Sequence, residues 1–245
     1  MTQAIDPVTG FPLGGGLFPV KDVRLKVFEG IHPFDRDHRA AAARNWEAEI
    51  AANPALFDGR MVFQHRLALH DGVVCGEGYV VPYSTFLWWR RQPEGEGGFH
   101  VFGFPVIASA DGALIAVKMA AHTANPGQVY CAAGSLDTDD IVDGYCDLIG
   151  NMRREVREET GLDLDEATSD GRLFVGYANR RLTIVRLFRF DVSADSLLAR
   201  IAAHMEADEE KEIDEAIAVR SPDPGAHAFN APMLPVLDWF FSEPR

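Results

Sequence analysis

The chain has 245 residues, 47% of them apolar and 24% charged, a composition that suits a globular protein of one large or two small domains. Its formal net charge of −14 repels phosphate backbones and anionic membranes at long range, which argues against a nucleic-acid or membrane partner. Three cysteines, Cys75, Cys131 and Cys146, lack zinc-motif spacing and read as reduced, mostly buried thiols of a cytoplasmic protein. No signal-peptide pattern opens the sequence, and no run reaches the ~18 apolar residues of a membrane-spanning helix.

Residues 1–20 are rich in glycine and proline and are expected to form a loosely tied arm. KDVRLKVFEG (21–30) alternates as a half-buried strand does. The Ala- and Glu-rich stretch 35–57 predicts a helix that stops near Asn53-Pro54. Residues 61–82 read as two strands around Asp71-Gly72, followed by a short aromatic helix over 83–92. The turn-rich QPEGEGGF (92–99) marks a candidate boundary between a β-rich domain, 1–99, and a second domain, 100–245. In the second, a hairpin turning at Asp111-Gly112 comes first, then a loop, short strand and small-residue turn over 121–135. A helix over 148–160, two strands within 172–192, a helix over 193–205, an acidic stretch passing into a strand before 220, and an apolar helix around MLPVLDWFF complete the chain. Together these elements predict an α+β fold.

On a helix, Glu155, Glu158 and Glu159 are spaced i, i+3, i+4 and share one face. Leu148, Ile149, Met152 and Val156 form an adjoining apolar stripe that can dock on a sheet. Asp147 stands where an N-cap belongs and Gly161 where a left-handed residue ends a helix. Arg154 can pair with Glu158, but one arginine does not neutralise three acids. Such a face is either solvated or holds a hard cation: Mg²⁺ takes oxygen ligands and is often shared between carboxylates and substrate phosphates.

The order of residues favours the second reading. Arg154-Glu155-Val156-Arg157-Glu158-Glu159-Thr160-Gly161-Leu162 matches all seven defined positions of R-E-U-x-E-E-x-G-U, with U a bulky aliphatic, which is the second half of the Nudix box. The chain resembles a Nudix hydrolase over about residues 100–220. Two departures stand out. Gly134 and Arg154 are six residues further apart than in the family, so TDDIVDGYCDL looks like an insertion that reshapes the rim. Counted back from Arg154, the family's upstream glutamate falls on Cys146, with Asp143 or Asp147 as partial substitutes.

The resemblance implies a Nudix α/β/α sandwich with a mixed sheet and an enzyme that cuts the diphosphate of a nucleoside diphosphate derivative with water. It implies that Glu155, Glu158, Glu159 and the carbonyl of Ala133 bind Mg²⁺ or Mn²⁺, with Gly134 at the catalytic turn and Arg154 orienting the carboxylates. A general base is sought in ADEEKE (207–212), at Glu209, Glu210 or Glu212, with Glu155 or Glu159 as alternatives. Arg180, Arg181 and His122 are candidate substrate contacts, since arginine suits bidentate phosphate binding. Tyr83, Phe86, Trp88 and Trp89 are core residues or a stacking platform for a base.

The order of Trp46, Asn53-Pro54, Leu56-Phe57-Asp58-Gly59 and Tyr83-x-x-Phe86 also resembles the animal UDP-glucose pyrophosphatase branch, in which a small Nudix-like β-rich domain comes first. That makes UDP-glucose-like sugars the first expected substrates and ADP-ribose or ADP-sugars the second. Coenzyme A, NAD(H) and damaged triphosphates are alternatives, and decapping of RNA is disfavoured by charge. A Nudix-fold nucleotide-binding module without strong turnover is the reading from a different class. The oligomeric state is open, a homodimer included.

Overall fold

The computed structural model describes residues 4–93 and 96–242; Glu94 and Gly95 of the boundary turn, and the first three residues of the arm, lie outside the described residues. The chain opens with β1 (Ala4–Ile5), β2 (Pro12–Leu13), β3 (Phe18–Val20) and β4 (Asp22–Val27), then helix α1 (Pro33–Ala52). Strands β5 (Arg60–His70) and β6 (Val73–Pro82) form the long hairpin, and helix α2 (Tyr83–Arg90) follows. Next come β7 (His100–Ala108), β8 (Leu114–Met119), β9 (Val129–Tyr130), β10 (Ile141–Val142), β11 (Tyr145–Cys146) and helix α3 (Leu148–Thr160). The chain closes with β12 (Leu173–Ala178), β13 (Arg181–Arg189), helix α4 (Ala194–Ala207), β14 (Ile213–Val219) and helix α5 (Met233–Ser242).

The turn signals act through backbone geometry. Asp71 and Gly72 have φ of 50° and 81°, the left-handed pair that a two-residue hairpin demands. Ser193 caps α4 by accepting from Ser196 N at 3.3 Å. The fold is α+β with mixed sheets. A seven-stranded sheet runs β14-β8-β7-β13-β12-β3, with β9 beside β8, and its β13–β7 pair is parallel. A five-stranded sheet runs β10-β11-β4-β6-β5, with β4–β6 parallel. Helices α3 and α4 pack on each other, α3 against β7 and α4 against β14.

Two segments depart from expectation, and both are strands given by one part of the chain to the other part's sheet. The arm is not loose. Its β3 pairs with β12, and Phe11, 0% exposed, stacks on Tyr177 with ring centroids 4.7 Å apart. Burying one such side chain is worth about 2 kcal/mol, enough to pin a glycine-rich segment. The insertion is not a rim. Asp143 and Gly144, with φ of 51° and 79°, turn a hairpin of β10 and β11, and Tyr145 pairs with Lys26 at the edge of the five-stranded sheet.

Cys75 is exposed, unlike Cys131, which is buried, and Cys146, which is half-buried. Burial pushes the thiols of Cys131 and Cys146 up to about 12. Among the described residues no helix is long and apolar enough to cross a membrane.

Candidate metal and diphosphate site

Helix α3 has the predicted frame. Asp147 Oδ1 accepts from Gly150 N at 2.9 Å, and Gly161 takes the left-handed φ of 67° at the C-terminus. Leu148, Met152 and Val156 are buried, and Met152 lies so close to Gly103 of β7 that a Cβ there would crowd it. This docking fixes the flank of the helix that adjoins the apolar stripe. Glu155 and Glu159 are only 9% and 8% exposed, while Glu158 projects outward.

The turn after β9 meets the two enclosed acids. Ala133 N donates to Glu159 Oε2 at 3.1 Å. Gly134 sits against the carboxylate of Glu155, where a Cβ would overlap the oxygens. Glycine is therefore required here for close approach. Burial, then the neighbouring Glu155, raises the Glu159 carboxyl well above its ordinary value. Burial also raises Glu155, to about 7, against the lowering pull of Arg154.

Arg154 is gripped by four acids. Its guanidinium lies 3.0 Å from Asp140, 3.1 Å from Asp137, 3.0 Å from Glu155 and 3.0 Å from Glu158. Burial works against its charge, but Asp140, Glu155 and Asp137 outweigh it and raise its pKa. Asp140 is nearly inaccessible and also accepts from Asn151 Nδ2 and from Asp137 N, each at 2.9 Å.

This corrects the placement of the upstream acid. Counted forward from Gly134, the glutamate position of the box that the sequence resembles falls on Asp140, and the six extra residues are Ile141–Cys146, the β10–β11 hairpin. The carbonyl of Asp140 accepts from Asp147 N at 2.7 Å, so the hairpin is pinched off at its base. Cys146 and Asp143 belong to the hairpin, and Asp147 is the cap. None of residues 141–146 lines the cavity above the acids.

That cavity, of about 660 Å³, brings together Glu155, Glu159, Ala133, Gly134, His122 and Arg181, with Glu212 on its wall. Arg154 and Glu158 are outside its lining. Arg180, with φ of 57°, stacks over Phe99 at 5.0 Å and faces a different concavity beside Arg24, Lys26 and Arg66. Glu209 and Glu210 are exposed and do not line the cavity; the Glu210 carbonyl accepts from His122 Nε2 at 3.2 Å. Desolvation, then Glu210, raises the Glu212 carboxyl. Tyr83 and Phe86 line the cavity, whereas Trp89 is 1% exposed in a core cluster with Phe34, Met61 and Phe63, and Trp88 packs against that cluster.

Among the described residues no group of three or more His, Cys, Asp or Glu side chains stands in ready metal-binding geometry. Sequence reasoning passed over Asp137, Asp140, Asn151, Arg90, Asn125 and Tyr130. For Asp140 a signal existed: Asp143-Gly144 flanked by Ile-Val and Tyr-Cys is a hairpin pattern, and recognising it moves the extra residues after Asp140.

No family model and no curated protein matches the chain. Among solved structures it is similar to the MutT protein from Methanosarcina mazei Go1, at 15% identity over 58% of this chain and 93% of that one, with a TM-score of 0.38. A C. elegans Ap4A hydrolase in a binary complex is 14% identical over 58% of this chain and 96% of its own, with a TM-score of 0.41. The chain is also similar to DR0079 from Deinococcus radiodurans, at 12% identity over 74% of this chain and 99% of that one, with a TM-score of 0.45.

Proposed function

We propose that the protein is a metal-dependent Nudix pyrophosphohydrolase that cuts the diphosphate of a small nucleoside diphosphate derivative, a nucleotide sugar such as UDP-glucose first and ADP-ribose or an ADP-sugar second. One observation carries the reading: Glu155 and Glu159, both nearly enclosed, line one cavity of about 660 Å³, Glu155 against Gly134 and Glu159 against the Ala133 backbone N–H. Two buried carboxylates with raised affinity for protons are poorly compensated as they stand. Mg²⁺ or Mn²⁺ takes such oxygen donors. Glu155, Glu159, the Ala133 carbonyl and Glu158 would hold it, Glu158 after leaving Arg154. A bound divalent ion would neutralise diphosphate charge and activate water.

The chain's own residues supply the rest. Arg154 holds Glu155 in place while being held by Asp140. Glu212, on the cavity wall, is the candidate base from the acidic stretch. His122 and Arg181 face the substrate space. The test is turnover of UDP-sugars, ADP-sugars, ADP-ribose, NADH, coenzyme A and triphosphates with Mg²⁺, alongside Glu158→Gln. Turnover that collapses in the variant while the fold persists supports the reading; unchanged turnover overturns the metal site. The hold of Arg154 on Glu158 favours a second reading, a nucleotide-binding module without turnover, which predicts ligand binding and no product.

A further inference from the structure

The cavity has a second charged end that the acid site does not use. Arg90 of α2 and Arg181 of β13 both line it. Arg181 is half-buried, and among the described residues neither arginine makes an ion pair with a carboxylate. Arg181 instead lies over the Trp89 ring at 5.5 Å, and Arg90 lies over Phe86 at 5.9 Å. Phe86 and Trp89 stack on each other at 5.7 Å, so the two guanidiniums share one aromatic platform. Arg90 is steadied by a 3.2 Å hydrogen bond to Asn125 Oδ1.

The strand register sets Arg181 apart from the acids. Arg181 pairs with His100, two residues before Phe102, and Phe102 bridges to Ser135 beside Gly134. Two residues along a strand span about 7 Å. His100 fills the interval, its Nε2 at 3.4 Å from Ser135 Oγ. Burial, then Arg181 and Arg90, pushes the His100 imidazole down to about 3, so the layer between the arginines and the acids is neutral. Burial, then Arg90, lowers Arg181 itself. Arg181, half-buried beside the exposed Arg90 and without a carboxylate partner among the described residues, carries a charge that its ring contact offsets only in part, since a cation–π contact is worth only about 0.5–2 kcal/mol.

Resting on the pyrophosphohydrolase reading, we propose that Arg90 and Arg181 form a subsite for a second anionic group of the substrate, a phosphate or carboxylate beyond the diphosphate held at α3. This refines that reading: within the same class of nucleoside diphosphate derivatives, a member with an additional anionic centre binds more tightly than its neutral counterpart. Arginine is the residue suited to either anion, because its fork matches two oxygens at once.

Binding of matched ligand pairs by the full chain in EDTA, read by titration calorimetry, tests this without turnover. Coenzyme A against dephospho-coenzyme A varies one phosphate, and UDP-glucuronate against UDP-glucose varies one carboxylate. At least tenfold tighter binding of the charged member of one pair is expected, and the pair that shows it identifies the anion. Arg181→Gln and Arg90→Gln, each checked by thermal melt, should bring that ratio near one. Absence of preference in both pairs, failure of all four ligands to bind, or a preference that survives both substitutions overturns the subsite. Turnover with Mg²⁺ is scored separately: a binding preference without product keeps the subsite and removes the hydrolase reading, whereas turnover without preference does the reverse.

Discussion

Asp140 and Arg154, fourteen positions apart, meet at 3.0 Å beneath the acidic face of α3, and the aspartate is almost fully enclosed. A buried carboxylate that accepts from a guanidinium, an amide side chain and a backbone N–H has no easy substitute. Asp140→Asn keeps the shape but sets an NH₂ group against donors. A loss of about 2 kcal/mol in urea unfolding is expected, because one partner of an enclosed ion pair is removed. Turnover should fall with it, since Arg154 is then held by Glu155 and Glu158 alone on the helix and by Asp137.

The β10–β11 hairpin is closed at its base by the 2.7 Å bond between Asp147 N and the Asp140 carbonyl. Replacing residues 141–146 by a single glycine should therefore leave α3, its cap and the Arg154 contacts in place. Far-UV circular dichroism and turnover are expected to stay close to wild type, with a stability loss of about 1 kcal/mol from the missing pairing to β4 and the bare edge it leaves. Loss of folding would show that the hairpin does more than cover that edge.

Glu159→Gln removes one of two adjoining buried carboxylates. In EDTA at pH 8 the variant should melt above the wild type, since burial and Glu155 both disfavour the charged form of Glu159. With Mn²⁺ the order should reverse, because the wild type gains a ligand-linked rise in Tm that the variant lacks. The rise in wild type should grow from pH 6 to pH 8: Glu155, pushed up to about 7, must lose its proton before the ion is held well. Identical melts in EDTA would argue against repulsion at this pair.

His32 caps α1 by accepting from Phe34 N at Nδ1, 3.0 Å away, and burial pushes its imidazole down to about 4. The folded state thus resists a proton that the unfolded chain takes near pH 6.5. The contribution to stability is complete above pH 6.5 and is lost as pH falls through about 4, at up to about 1.4 kcal/mol per pH unit. His32→Asn retains an acceptor for the cap and has no such titration. Urea midpoints from pH 7.5 to pH 4.5 should show the gap between wild type and variant narrowing as acid is added.

Local structure was legible wherever a residue type forces its own geometry. Asp71-Gly72 announces a turn because both positions need left-handed φ, and Asp147 and Gly161 bracket α3 because each satisfies a helix end. The face shared by Glu155 and Glu159 follows from helical period alone. What was not legible depends on partners far away in sequence. Nothing near Phe11 says that it will stack on Tyr177, and nothing near Arg90 says that it will stand beside Arg181. Arg180 and Arg181 are neighbours in sequence, yet Arg180 sits in the tight turn before β13 with a left-handed φ of 57° while Arg181 opens the strand, and the two line different concavities.

The two sheets each hold a strand lent by the other's stretch of chain: β3 from the amino-terminal arm completes the larger, and β10–β11 from the far side of the boundary turn completes the smaller. This reciprocal loan makes the covalent link through residues 92–99 redundant as a tether. A chain cut there would remain one particle, because each fragment keeps an edge that only the other can cover. Melting would proceed as a single event rather than two, and refolding would wait on contacts that span most of the sequence. The acid site inherits that coupling: Asp140, which holds Arg154, is also the hinge from which the lent hairpin departs.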